Sequence, residues 1–176
     1  MAETPEVVLA GIGDVPMREI VAATQLLRRH QPGFRVRVVN VVDLMCLDST
    51  ERYERALDDA RFAALFSETA PVIMAFHGYP MLVHELIYRR PNPSRFHVHG
   101  YREEGTTTTP FEMTVVNGMS RYQLAIDALK RSRAPAYDIA AATGIFEETL
   151  GRHRKYIVEH GDDMPEVVQW RVDAQR

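Results

Sequence analysis

The sequence has one cysteine, no apolar run long enough to cross a bilayer, and no strong excess of charge of either sign. The lone Cys46 excludes an intrachain disulfide and any multi-cysteine metal site. Set among Leu44, Met45 and Leu47, it reads as a buried structural thiol. No apolar stretch approaches the roughly 18 residues that span a membrane. Lys and Arg total 21 against 24 Asp and Glu, a formal net charge of −3. No global field then draws nucleic acid or an anionic membrane, and neither is expected as a partner. Met1-Ala2-Glu3-Thr4-Pro5 has neither the basic nor the apolar part of a signal peptide, so a soluble cytoplasmic location is the expectation. A Gly-x-Ser-x-Gly elbow, a phosphate loop ending in Lys-Ser or Lys-Thr, and a His-Glu-x-x-His zinc signature are all missing. Nothing in the chain assembles an active site by itself.

What is present reads as one α/β domain spanning 1–176, with 45% hydrophobic and 26% charged residues. Val7 to Ala10 is a buried strand closed by Gly11-Ile12-Gly13-Asp14. Asp14 is expected to cap a helix whose stripe is Ile20, Ala23, Thr24 and Leu27, with Arg28 and Arg29 at its C-terminal end. Gln31-Pro32-Gly33 stops it, and Phe34 to Val42 has strong β propensity. Strand, helix and strand within about 35 residues make a βαβ unit. The pattern repeats. A helix is expected over Glu54 to Phe66, with a stripe of Leu57, Ala60, Arg61, Ala64 and Leu65. Pro71 to His77 reads as a central strand, apolar along its length, as one covered on both faces should be. Pro80 to Tyr88 is the next helix and Phe96 to Tyr101 a short alternating strand. The threonine run Thr106 to Thr109 reads as an extended loop, since β-branching disfavours helix interiors. Phe111 to Val116 is a strand or the lead into a helix, and Ser120 caps Arg121 to Arg131. Tyr137 to His160 is helical, broken at Gly144, and Glu166 to Trp170 forms a terminal turn.

Several residues invite chemistry. Gly11-x-Gly13 sits where a dinucleotide fingerprint would, but Pro16 occupies the third glycine's place; a tight turn is expected, with anion binding the alternative. His77-Gly78-Tyr79-Pro80 ends the central strand, at the edge where open α/β sheets bind ligands and partners. His77 there bonds to local backbone, or serves as an acid–base group or as a donor to a partner. His97 and His99 face one side of a strand without an evident third metal ligand, and read as a solvated or interface face. Glu103 and Glu104, with Arg102 and Thr106, Thr107 and Thr108, look like a polar network ordering a docking loop rather than a catalytic pair. Arg89 and Arg90, with Arg95 and Arg102, are the one cationic cluster; they form salt bridges or contact an anion such as phosphate.

Four blocks carry a family resemblance: VVLAGIGDVPMREIVAATQLLRRHQPGFRVRVVNVVDLMCL (7–47), PVIMAFHGYPMLVHELIYRR (71–90), FHVHGYREEGTTTTPFEM (96–113) and YIVEHGDDMPEVVQW (156–170). They resemble the C-terminal domain of phosphoketolases, within the transketolase superfamily. The resemblance implies a three-layer α/β/α sandwich with a mostly parallel sheet. That sheet usually has five strands, the first in sequence being an antiparallel edge strand. Val7 looks like the start of the second, so the first is expected to be absent. The resemblance also implies a parent enzyme, a carbon–carbon lyase of carbohydrate metabolism. It splits xylulose 5-phosphate, fructose 6-phosphate or both with inorganic phosphate, giving acetyl phosphate. Thiamine diphosphate and Mg2+ are implied for the full-length enzyme, held by two preceding domains, mostly at a homodimer interface. The matching cofactor and substrate motifs are not found in this chain, so no catalytic, cofactor or metal residue is assigned to it. The expected role is interdomain docking against the N-terminal catalytic domains, through His77, Gly78 and Tyr79 and through Glu103, Glu104, Thr106, Thr107 and Thr108. The alternatives are a regulatory α/β module binding a nucleotide or phosphorylated metabolite, near Gly11 to Asp14 or Arg89 and Arg90, and a small enzyme using His77.

Overall fold

A computed structural model of the chain describes residues 4–102, 107–132 and 139–172. Its centre is a four-stranded, all-parallel sheet in the order β2-β1-β3-β4: β1 Val7–Ile12, β2 Val36–Asn40, β3 Val72–Phe76 and β4 Phe96–His99. Successive side chains of a strand point to opposite faces, and β1 uses both faces for burial. Val7 and Leu9 enter one core with Ile73 and Ala75, beneath α1 (Asp14–His30), α5 (Arg121–Arg131) and α6 (Ile139–His160). Val8, Ala10 and Ile12 enter the other with Val72 and Met74, beneath α2 (Asp59–Phe66) and α3 (Pro80–Ile87). The result is the expected three-layer α/β/α sandwich. Two short helices, α4 (Pro110–Val116) and α7 (Pro165–Val168), close the first layer. Among the described residues no antiparallel strand joins the sheet, and the outer edge of β2 has no strand partner.

Several expectations are corrected. The residue capping α1 is Gly13, with φ 106°, and Asp14 is the first helical residue, so its carboxyl makes no cap bond. The strand after α1 stops at Asn40, and Val42 is 88% exposed. The helix expected from Glu54 begins only at Asp59, because Asp58 caps it by accepting the Arg61 N–H while 49–56 is spent in turns. Its buried stripe is Phe62 and Phe66, two aromatics at i, i+4. Ala60, Arg61, Ala64 and Leu65 are exposed. Residues 110–116 are helix, started by Thr109 and Pro110. α6 runs unbroken through Gly144, which lies on the solvent side with no neighbour within 4 Å of a built Cβ, while Ala142, Thr143, Phe146 and His153 bury the opposite face. Glycine there costs about 1 kcal/mol against alanine, too little to stop a helix held by packing. Tyr137, where that helix was expected to begin, lies outside the described residues. Cys46 is half-exposed, its Sγ 3.3 Å from Asp43 Oδ2, and burial together with Asp43 raises its pKa.

One ion pair joins the helical layer over the α1 face. Arg121, the first residue of α5, gives its backbone N–H and Nε to Glu19 Oε2 at 2.8 and 2.9 Å, and its Nη2 to Oε1 at 2.7 Å. Both side chains are 3% exposed. The guanidinium also lies 5.3 Å from the Phe111 ring centroid and 4.9 Å from that of Trp170, which ties α4 and the chain after α7 to the same point. Ser120 and Gln123 form a capping box that fixes where α5 starts. Replacing Arg121 with Met leaves the Glu19 carboxylate buried and unpaired, which costs about 3–5 kcal/mol. Arg152→Met, at an exposed pair with Glu166, costs under about 1 kcal/mol. Urea titration of the two variants separates them; equal midpoints would refute the keystone role of Arg121.

Candidate functional site at the C-terminal edge of the sheet

The chain leaves β1 toward β2 on one side and β3 toward β4 on the other, so the C-terminal ends of β1 and β3 open a crevice at the switch in direction, the usual binding position in such sheets. His77 stands there. Its N–H donates to Ile12 O at 3.0 Å, extending the β1–β3 ladder by one residue. Gly13 passes directly under it: a Cβ on Gly13 would come within 3.0 Å of His77 Cβ, and its positive φ disfavours one in any case. Gly11 is equally constrained, since a Cβ would meet Met17 of α1. The glycine pair therefore serves a tight turn.

The loops after β3 and β4 lock together. Tyr101 N–H donates to Gly78 O at 2.9 Å, and Gly100 approaches so closely that an added Cβ would overlap that same carbonyl. This backbone contact stacks the His77 and Tyr101 rings, with centroids 5.7 Å apart and planes 19° apart, and brings Tyr79 to 6.3 Å from Tyr101. Tyr101 Oη lies 3.4 Å from His77 Nε2. Tyr79 is the cap residue of α3, with Pro80 at the helix start. The outcome is an aromatic surface held by backbone yet left open: Tyr79 is 51%, Tyr101 36% and the neighbouring Met81 78% exposed. Tyr101 and Met81 were not singled out from sequence; only the alternating period of 96–101 hinted at Tyr101.

The other sequence candidates are dispersed. Glu103, Glu104 and Thr106 lie outside the described residues. Thr107 is exposed and Thr108 half-buried, both without regular structure. The loop's flanks are anchored, Arg102 N–H to Asn117 Oδ1 at 2.9 Å and Thr109 Oγ1 to Asp163 Oδ1. The arginines do not converge. Arg90 is buried, its Nε donating to Leu47 O at 3.0 Å, its Nη1 to Asp59 Oδ1 at 2.8 Å, and its Nη2 to the carbonyls of Asp48 and Leu57. It satisfies the backbone of the 3₁₀ turn Leu44–Leu47 and the approach to α2. Arg95 does the same for Phe66, Ser67 and Ala70. Arg89 is exposed and donates to Tyr88 Oη at 2.6 Å and to Glu51 at 3.3 Å.

His97 and His99 share a face, as expected, but that face packs on α5. His99 Nε2 lies 3.0 Å from Asp127 Oδ2, and His97 Nε2 lies 3.2 Å from Arg131 Nη1. Burial, then the nearby Arg131 charge, lowers the His97 pKa. Burial alone would raise the Asp127 carboxyl, but the bonds and charges of His99 and Arg131 outweigh it and hold Asp127 below the usual range.

Sequence reasoning missed one cluster outright. His153, fully buried on α6, places Nε2 3.4 Å from Asp163 Oδ1 and 3.5 Å from Glu112 Oε2. Its spacing from Ala142 and Phe146 on the buried face of α6 was the available signal. Among the described residues no group of three or more His, Cys, Asp or Glu side chains could hold a metal ion. The exposed Asp14 carboxyl stands in the first turn of α1, beside the turn at Gly13.

Residues 1–172 match the family described as the XFP C-terminal domain. The chain belongs to this family, the C-terminal domain of phosphoketolases. It is 53% identical over 169 residues to a probable phosphoketolase of Pseudomonas putida strain F1, covering 96% of this chain and 21% of that protein. It is 54% identical over 170 residues to one of Rhodopseudomonas palustris strain TIE-1, covering 97% and 22%. A probable phosphoketolase of Nitrosomonas europaea is 48% identical over 173 residues, covering 98% and 22%. The chain thus spans about a fifth of the length of the relatives it matches. Among the described residues no helix is long and apolar enough to cross a membrane.

The rigidity of the edge is testable at its glycines. Gly100→Ala forces the Gly78 carbonyl away and lowers stability by about 1–3 kcal/mol. Gly151→Ala, in open space on α6, is neutral or stabilising by up to about 1 kcal/mol. Denaturant midpoints check both; a neutral Gly100→Ala would show that the two loops are not locked.

Proposed function

We propose that this chain is the docking domain of a thiamine-diphosphate-dependent phosphoketolase, a lyase that uses inorganic phosphate to cleave xylulose 5-phosphate, fructose 6-phosphate or both. The observation that carries this reading is the exposed His77, Tyr79 and Tyr101 surface, built on locked backbone at the sheet edge. Rigid aromatics offer large contact area at little entropic cost and mark protein interfaces. The relatives support a partner in the same polypeptide, since about four-fifths of each lies outside the match. Thiamine diphosphate and Mg2+ would be bound there, in a homodimer, and the chemistry they supply is carbanion formation on the sugar. This domain's residues would orient and support that site without touching substrate.

Two measurements test it. Residues 1–176 alone should form no acetyl phosphate from xylulose 5-phosphate and phosphate with thiamine diphosphate and Mg2+; turnover by the pure chain would defeat the proposal. The Pseudomonas putida relative with its matching stretch removed should bind 1–176 in trans. Tyr101→Ala and Tyr79→Ala should each weaken that binding at least tenfold, about 1.4 kcal/mol. Lys155→Ala, on the exposed side of α6, should leave it unchanged.

A further inference from the structure

A cleft of about 250 Å³ lies between α1, α5, α6 and the chain from α7 to Trp170, built from residues that the docking surface does not use. Its apolar lining is Ala22, Leu26, Ile145, Phe146 and Trp170. The walls are fixed. Trp170 Nε1 donates to Gln25 Oε1 at 3.0 Å, and the His30 ring meets Phe146 edge-on at 5.2 Å. Such a lining suits water poorly, because an enclosed water needs about two to four polar partners. The volume falls just under the roughly 300–1,000 Å³ of sites for drug-sized ligands, which points to a smaller molecule.

The polar groups of the cleft define its chemistry. Tyr122 is 8% exposed, its ring packed against Phe111 and Phe146 with centroids 6.2 and 6.3 Å away. It lines the cleft, and among the described residues its hydroxyl has no hydrogen-bond partner. Buried hydroxyls are normally bonded. Burial pushes the Tyr122 phenol above its usual range, so at neutral pH it is an O–H donor. Arg29, in the last turn of α1, and Arg152, on α6, also line the cleft and are exposed. Arg152 gives one nitrogen, Nη2, to Glu166 Oε1 at 3.1 Å. A guanidinium has five donors, so each arginine can hold a carboxylate without giving up the partner it has.

We propose that this cleft binds a small aromatic carboxylate bearing a ring hydroxyl. The ring lies against Leu26 and Phe146, the ring hydroxyl accepts from Tyr122 Oη, and the carboxylate meets Arg29 and Arg152 at the surface. A neutral ring leaves the guanidiniums unused, and an aliphatic acid leaves the apolar lining wet. The ligand touches α1, α5 and α6 together, so its binding stabilises the folded domain by mass action.

4-Hydroxybenzoate, titrated into residues 1–176 and followed through amide resonances, tests this. Saturable shifts are expected at the residues of the cleft, with a Kd of about 1 mM or tighter, as suits a ligand of about ten non-hydrogen atoms. Phenol and acetate, each carrying half of the chemistry, bind at least about tenfold more weakly. Tyr122→Phe keeps the ring and removes only the hydroxyl. It weakens 4-hydroxybenzoate about two- to tenfold, the worth of one net hydrogen bond. It leaves the urea midpoint of the free chain unchanged or higher, since the hydroxyl bonds no described group; a hydroxyl with a structural role would lower that midpoint. Thr149→Trp, at the half-buried rim on α6, fills the cleft and abolishes binding. Absent or displaced shifts, phenol or acetate binding as tightly, or a Tyr122→Phe chain that is destabilised or binds with undiminished affinity would each overturn the proposal. None of these outcomes bears on the docking surface at His77, Tyr79 and Tyr101.

Discussion

The helical layer over the α1 face hangs on the pairing of Glu19 with Arg121. These residues lie 102 apart in sequence and meet through three hydrogen bonds in a space closed to water. Neither charge could be buried alone. Once paired, the guanidinium also gives Phe111 and Trp170 a common surface to pack on. α1, α4, α5 and the chain after α7 thus converge on one point. The opposite layer uses the same physics with a different acceptor: Arg90 and Arg95 are buried by carbonyl oxygens of loops rather than by a buried carboxylate. Arginine, with five donors in a rigid fork, suits both tasks.

Among the described residues, this division leaves the C-terminal edge of the sheet with no layer to cover it. Strand order places His77 beside Ile12 and Gly13, and the contact between Gly78 and Tyr101 fixes the β3 and β4 loops to each other. Rigid backbone beneath exposed aromatic rings suits the proposed contact, because the rings would lose little freedom if a partner settled on them. Catalysis would call for a base, a nucleophile or a metal ligand set converging on one point; among the described residues the side chain of His77 is met by Tyr101 Oη at 3.4 Å. The threonine segment is fixed separately, through Asp163, so the two sequence strings at 96–113 and 156–170 make contact around one carboxylate.

Much of this could be read from the residues. The apolar run of Val7 to Ala10 closed by glycine, the apolar run of 72–76, and the Ser120 start of α5 are local signals, and the structure follows them. The resemblance supplied the layer arrangement. What stayed hidden depended on distance. Arg90 reads as a surface cation in sequence, since nothing nearby reveals the carbonyls of Leu47, Asp48 and Leu57 that wait for it. The Glu54 start of α2 failed because charged and apolar residues at helical spacing also suit a series of turns, and Asp58 settled the matter as the cap. Gly144 looked like a break because propensity was weighed without the packing of Phe146. The spacing of His153 hinted at its burial, but only the fold brings Glu112 and Asp163 to it.

The central claim is that this domain meets the rest of its enzyme through the edge at His77, Tyr79 and Tyr101. Hydrogen exchange, read by mass spectrometry on residues 1–176 with and without the shortened Pseudomonas putida relative, addresses it most directly. The account predicts new protection concentrated at 77–82 and 99–102, with the exposed side of α6 unchanged. Protection confined to α6 or to the outer edge of β2, with 77–82 and 99–102 exchanging as before, would contradict it.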